Sequence, residues 1–128
     1  MEPLVIEGTK STPDIHFDAA NNLLQLKGQS YPENAAQFYQ PIFAWIESFL
    51  EKSAGDEVKV VLEIVYFNSS SSKVLLDLMD TLEEAADDGK KVIVEWRYDQ
   101  ENDLAEEYGE EFKEDLEAVD FRMVPISE

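Results

Sequence analysis

The stretch Val60-Val61-Leu62-Glu63-Ile64-Val65-Tyr66-Phe67-Asn68-Ser69-Ser70-Ser71-Ser72-Lys73 runs from an apolar, β-branched segment straight into asparagine, four serines and a lysine. From Val74 onward the apolar residues recur at helical spacing, at Leu75, Leu78, Leu82 and Ala86. The pattern predicts a strand over 58–67, a helix over 70–87 closing at Asp88-Gly89, and a serine cluster where the two meet. So continuous an apolar run is expected in a central strand covered on both faces. Hydroxyls at such a junction lie among backbone N–H groups without intrahelical acceptors, beside the positive end of the helix dipole. They cap the helix, and the same place suits a phosphate.

Downstream, Lys91 to Tyr98, with Val92, Ile93, Val94 and Trp96, reads as a second buried strand. Asp103 to Leu116 reads as an acidic helix with Leu104, Tyr108, Phe112 and Leu116 on one face, and Phe121 to Ile126 as a last strand. The β-α-β-α-β order calls for right-handed crossovers and a mostly parallel sheet flanked by helices. Upstream, Leu4–Ile6 is a short apolar run, and Asp14–Asp18 and Leu23–Gly28 flank a turn at Ala19 to Asn22, which predicts an antiparallel hairpin extending the sheet. Ser30-Tyr31-Pro32-Glu33 has capping-box spacing ahead of a helix bearing Phe38, Ile42, Trp45, Ile46, Phe49 and Leu50. Pro41 should kink that helix or restart it. With no linker or repeat in view, residues 1–128 are read as one α/β domain.

The 128 residues suffice for a real core, and 44% apolar with 11% aromatic content fits a folded chain. Ten basic residues face 29 acidic ones, a net charge of −19. The few cations are scattered among carboxylates, which disfavours nucleic acid and anionic membranes as partners and favours steering toward basic surfaces. There is no cysteine, so disulfides and thiolate chemistry are excluded. Met1-Glu2-Pro3-Leu4 shows neither a basic nor an apolar leader pattern, and no run reaches 18 apolar residues; a cytoplasmic, soluble protein is expected.

Several motifs bear on chemistry. Ser70-Ser71-Ser72-Lys73 matches the S-x-x-K pattern of serine acyl-enzymes, but the companion S-D-N and K-T-G motifs are missing. Asp99-Gln100-Glu101-Asn102-Asp103 begins like a calcium loop, yet Leu104 stands where the turn needs glycine, so capping of the acidic helix by Asn102 or Asp103 is the better reading. Glu106-Glu107 and Glu110-Glu111 read as a solvated face, and His16, the only histidine, supports no triad or metal pair. No phosphate-cradling glycine loop exists, and no cofactor or metal is expected. On the helix from Ser70, Leu76 and Met79 lie off the core stripe, either as a partner surface or covered by a neighbouring helix.

With these residues in hand, the chain resembles the SiaC family of bacterial biofilm-regulating phosphoproteins, which are similar in outline to STAS-type anti-sigma-factor antagonists. The resemblance spans nearly the whole chain. It rests on Gly8-Thr9-Lys10-Ser11-Thr12-Pro13, Gly28-Gln29-Ser30-Tyr31-Pro32-Glu33-Asn34, Tyr66 to Lys73, and Trp96-Arg97-Tyr98-Asp99. It implies a STAS-like mixed, mostly parallel sheet with an N-terminal antiparallel hairpin, and no enzymatic activity. It implies a residue after the switch asparagine that is phosphorylated by a Ser/Thr kinase of anti-sigma-factor-like ATPase fold and reset by a PP2C-type phosphatase. The unmodified form is expected to bind and activate a diguanylate cyclase, controlling cyclic-di-GMP and biofilm formation. By position the acceptor is Ser69, next to Asn68, with Ser70 the less favoured alternative; the best-known member has Thr at that place. Asn68, Ser70, Lys73, Leu76 and Met79 are the candidate partner contacts. Two other classes stay open: an anti-sigma-factor antagonist proper, and a small hydrolase using Ser70 and Lys73.

Overall fold

The computed structural model describes residues 1–52 and 57–127. Its elements are β1 (Leu4–Ile6), β2 (Asp14–Asp18), β3 (Leu23–Ser30), α1 (Ala35–Lys52), β4 (Glu57–Phe67), α2 (Ser69–Asp87), β5 (Lys91–Asp99), α3 (Asp103–Glu114) and β6 (Asp120–Ile126). The six strands form one sheet in chain order, antiparallel from β1 to β3 and parallel from β3 to β6. The turn between β2 and β3 is a short 3₁₀ segment closed by Asn22 at φ 52°, a left-handed position that asparagine tolerates.

Three successive right-handed crossovers in one direction along a sheet place their helices on the same face. The burial pattern agrees. Val58, Val60, Leu62 and Ile64 of β4, Val92, Val94, Trp96 and Tyr98 of β5, and Leu24 and Leu26 of β3 join one core with Ile42, Ile46 and Phe49 of α1, Leu75, Leu78 and Leu82 of α2, and Phe112 of α3. The intervening residues face the other way. Lys59–Glu95 at 2.9 Å, Lys91–Glu57 at 3.3 Å and Lys27–Glu63 at 3.6 Å tie adjacent strands across that second face, and Arg97 pairs with Glu95 at 3.0 Å within β5. Val61 and Ile93 are buried there outside the core cluster, opposite Glu95 and Lys59 in the ladder. The expectation that the β4 strand is covered by structure on both faces is thus corrected: on the second face ion pairs take the place of a helical layer.

Two local expectations also change. Ser30 caps nothing; it ends β3 fully buried, and α1 begins at Ala35, where Asn34 Oδ1 accepts from Gln37 N at 3.0 Å. Prolines 32 and 41 therefore play different parts: Pro32 lies in the connection, whereas α1 continues through Pro41 without restarting. Pro41 and Gln37, whose carbonyl loses its donor, are both exposed residues, so the lost bond falls on the solvent side of α1.

β3 and β4 meet with a register shift: Gly28 pairs with Ile64, but Gln29 pairs with Tyr66. Val65 is the extra residue of a β-bulge, facing Gly28 at φ 131°. Beyond the bulge, Ser30 pairs with Phe67, and β4 hands over to α2.

Candidate functional site: the start of the serine helix

Asn68 is the residue between β4 and α2, extended at φ −87° and ψ 179°. Its Oδ1 accepts from Ser71 N at 3.0 Å, and its backbone oxygen accepts from Ser72 N at 2.9 Å. This N-cap satisfies the third free N–H of the helix, worth about 1 kcal/mol, and leaves those of Ser69 and Ser70 pointing out of the first turn. Ser69 is the first helical residue and is exposed, as is Ser70. No acidic residue stands in this first turn. The dipole and two outward N–H groups therefore favour an added negative charge here.

Ser71 differs from its neighbours. It is fully buried, and its Oγ accepts from Ser30 Oγ at 2.8 Å, while Ser30 Oγ lies 2.6 Å from the Tyr39 hydroxyl. With Ser30 donating to Ser71, the Tyr39 phenol donates to Ser30. Burial pushes the Tyr39 phenol up from its ordinary range, outweighing the hydrogen bond it shares with Ser30, so it stays a protonated donor. Asn68 N also donates to Ser30 O at 3.2 Å. The start of α2 is thereby pinned to the end of β3 and to α1 by a chain of hydroxyls that spends Ser71 on structure. Of the four serines, only Ser69 and Ser70 combine exposure with the first helical turn.

Lys73 is exposed and, with Ser70, Val74 and Asp77, forms one wall of a groove of about 550 Å³ whose other wall is Ala36, Tyr39, Gln40 and Phe43 of α1. Among the described residues Ser70 and Lys73 are joined by no hydrogen bond. Leu76 is 43% exposed, as its off-stripe position suggested. Met79 is 3% exposed and belongs to the core, which corrects its reading as a surface contact: the buried stripe of α2 is wider than one seam and takes in Met79 and Ala85. At the calcium-like segment, Asn102 Oδ1 accepts from Ala105 N at 3.1 Å and Asp99 Oδ1 from Glu101 N at 2.8 Å, so these oxygens cap and turn the chain. Among the described residues no helix is long and apolar enough to cross a membrane.

The partners of Ser71 were not legible in the sequence: Ser30 stands at capping-box spacing, and nothing in the helical pattern singles out Tyr39. Nor was the bulge, for which the one available signal was Gly28 inside a strand pattern.

Fold and site define a class: a small mixed-sheet α/β domain, layered on one face, that presents capped hydroxyls at a helix start. Residues 6–126 match the model of the SiaC family regulatory phosphoproteins, and the chain belongs to that family. An uncharacterized protein of Pseudomonas aeruginosa (strain UCBPP-PA14) is 39% identical over 115 residues, 90% of each chain. The crystal structure of apo-SiaC from Pseudomonas aeruginosa superposes with a TM-score of 0.90 at 37% identity, over 97% of this chain and 99% of that one. SiaC in the crystal structure of the diguanylate cyclase SiaD in complex with its activator SiaC, also from Pseudomonas aeruginosa, matches with a TM-score of 0.90 at 36% identity, over 96% of this chain and 99% of that one.

Proposed function

We propose that this chain is a cytoplasmic, non-enzymatic switch that binds and activates a diguanylate cyclase when unmodified and lets go when Ser69 is phosphorylated. A Ser/Thr kinase of anti-sigma-factor-like ATPase fold adds the phosphate and a PP2C-type phosphatase removes it. Residues 1–128 act as one regulatory domain, with Asn68 and Ser70 shaping the acceptor and Lys73 and Leu76 contacting partners from the exposed side of α2.

The observation that carries this reading is the placement of Ser69: exposed, first in α2, and directly after the asparagine that caps the helix. A phosphate of about −1.5 to −2 charge is tolerated there by the helix dipole and the free N–H groups, so the fold survives modification. A docked partner does not tolerate it. Covering a dianion with an apolar surface strips its water without supplying a counter-charge, and costs several kcal/mol. The kinship with a family of regulatory phosphoproteins, one of which activates a cyclase, supports the same reading.

Incubation with the cognate kinase and ATP, followed by peptide mapping by mass spectrometry, tests the assignment. One phosphate on Ser69 is expected. Modification confined to Ser70, or absent from all four serines, refutes it.

A further inference from the structure

We propose that the β-bulge at Val65 builds the cyclase-docking ledge, formed by Val65, Tyr66 and Leu104, and that its occupant is an apolar segment of the cyclase flanked by Lys or Arg. The proposal rests on the cyclase-binding reading above and locates that contact on the molecule.

A regular strand would alternate Ile64 inward, Val65 outward and Tyr66 inward. The extra residue breaks the alternation, so Val65 and Tyr66 both face solvent, 53% and 49% exposed, while Ile64 and Phe67 stay buried. Leu104, on the first turn of α3, is 54% exposed. Of the six large apolar side chains left exposed among the described residues, these three gather at one end of the sheet. Isolated exposed apolar residues need no explanation, but a braced group does.

The ledge is braced from both sides. Asn102, which caps α3, also donates from Nδ2 to Val65 O at 3.2 Å, satisfying a carbonyl at the bulge. Tyr31 meets the Tyr66 ring edge-on with centroids 5.7 Å apart. Apolar groups held out in fixed positions bind at low entropic cost.

Two hollows flank Val65. The smaller runs between Tyr66 and Leu104 over Phe67 and Tyr108. The larger, about 290 Å³, has Val65, Tyr98, Ala105 and Ile126 in its lining. Its rim carries Asp99 and Glu101, with Glu63 paired to Lys27, and its one cation, Arg97, is already held by Glu95. An apolar anchor with basic flanks complements this arrangement, as does the net charge of −19. Ser69 follows Tyr66 by three residues at the same strand end. A segment lying on Tyr66 ends at the strand terminus from which α2 starts, so a phosphate on Ser69 sets a dianion beside the docked surface.

The test is calorimetric titration of the full chain into the diguanylate cyclase of its own host, with melting temperatures measured for every variant. Leu104→Glu and Tyr66→Ala are expected to weaken binding roughly tenfold or more while melting within a few degrees of wild type. Glu101→Lys should weaken it less, with a deficit that shrinks as salt rises. Val5→Glu, at the far edge strand, should change nothing. Wild-type binding by Leu104→Glu and Tyr66→Ala overturns the ledge while leaving the cyclase reading intact. A wild-type dimer that Leu104→Glu converts to monomer overturns it too, since a second copy would then be the occupant. If the wild-type chain binds no cyclase, both proposals fall.

Discussion

Removing the middle of the buried hydroxyl chain should cost more than removing its end. Ser30 Oγ bonds Ser71 at 2.8 Å and Tyr39 at 2.6 Å, and Ser30 and Ser71 are both essentially inaccessible to water. Ser30→Ala deletes both bonds and leaves two hydroxyls without partners, each at about 1–3 kcal/mol. Tyr39 is itself only 3% exposed, so neither orphaned hydroxyl is readily rehydrated and the expected loss is about 2–6 kcal/mol. Tyr39→Phe removes one bond and leaves Ser30 still donating to Ser71, for about 0.5–1.5 kcal/mol. For a domain of this size ~1 kcal/mol moves the melting temperature roughly 3–6 °C, so Ser30→Ala should fall on the order of 10 °C and Tyr39→Phe only a few. The double variant, having no orphaned phenol, should be less destabilised than the sum of the two singles. Urea denaturation followed by the fluorescence of Trp45 and Trp96 measures all three. Equal losses from Ser30→Ala and Tyr39→Phe, or strict additivity, would refute the claim that the three hydroxyls form one connected chain.

Asn68→Ala should cost about 1 kcal/mol through the lost cap and slow modification of Ser69, since the first turn frays; kinase assays and thermal melts read both effects. Gly109→Ala should destabilise by about 1–3 kcal/mol in denaturation despite the better helix former, because a Cβ there would lie 2.5 Å from Trp96 Cδ1 and 2.7 Å from Met123 Cε. Burial raises the Glu83 carboxyl, but the N–H groups of Glu117, Ala118 and Val119 together outweigh it and hold it below the ordinary range. A depressed folded-state pKa means that its stabilisation is complete above the unfolded-state value of 4.5 and is lost as pH falls through the folded-state value. Glu83→Gln should thus cost on the order of 1 kcal/mol near neutrality, solvent screening included, and less in acid, as urea melts across pH would show. Glu95→Gln should cost less than ~1 kcal/mol, with the loss shrinking in salt, because Lys59 and Arg97 are partly exposed.

The strand and helix order was legible because each element announces its own period and cap: Asn68 and Asn102 stand at the helix starts, and Asp88-Gly89 follows the end of α2. The one-sided sheet was not read, although Glu57, Lys59 and Glu63 of β4 and Lys91, Glu95 and Arg97 of β5 all stand at period two. Val61 and Ile93 obscured it, since two apolar residues on the ion-paired face make each strand read as continuous. What could not be read were contacts set by register between distant segments. Ser30 reaches Ser71 across 41 positions, and the bulge at Val65 arises from pairing with Gln29 rather than from anything in β4 itself. Met79 was misplaced for a related reason: the width of a helix's buried stripe depends on what packs beside it, and α1 lies along α2.

The central claim is that phosphate on Ser69 closes the interaction without unfolding the protein. The most direct measurement is cyclic-di-GMP synthesis by the host cyclase, titrated with unmodified and with enzymatically Ser69-phosphorylated protein. The unmodified protein should stimulate synthesis saturably. The phosphorylated protein, melting within a few degrees of it, should bind and stimulate far more weakly until a PP2C-type phosphatase restores it. Equal stimulation by both forms, or loss of stimulation only because the phosphorylated protein has unfolded, would contradict the account.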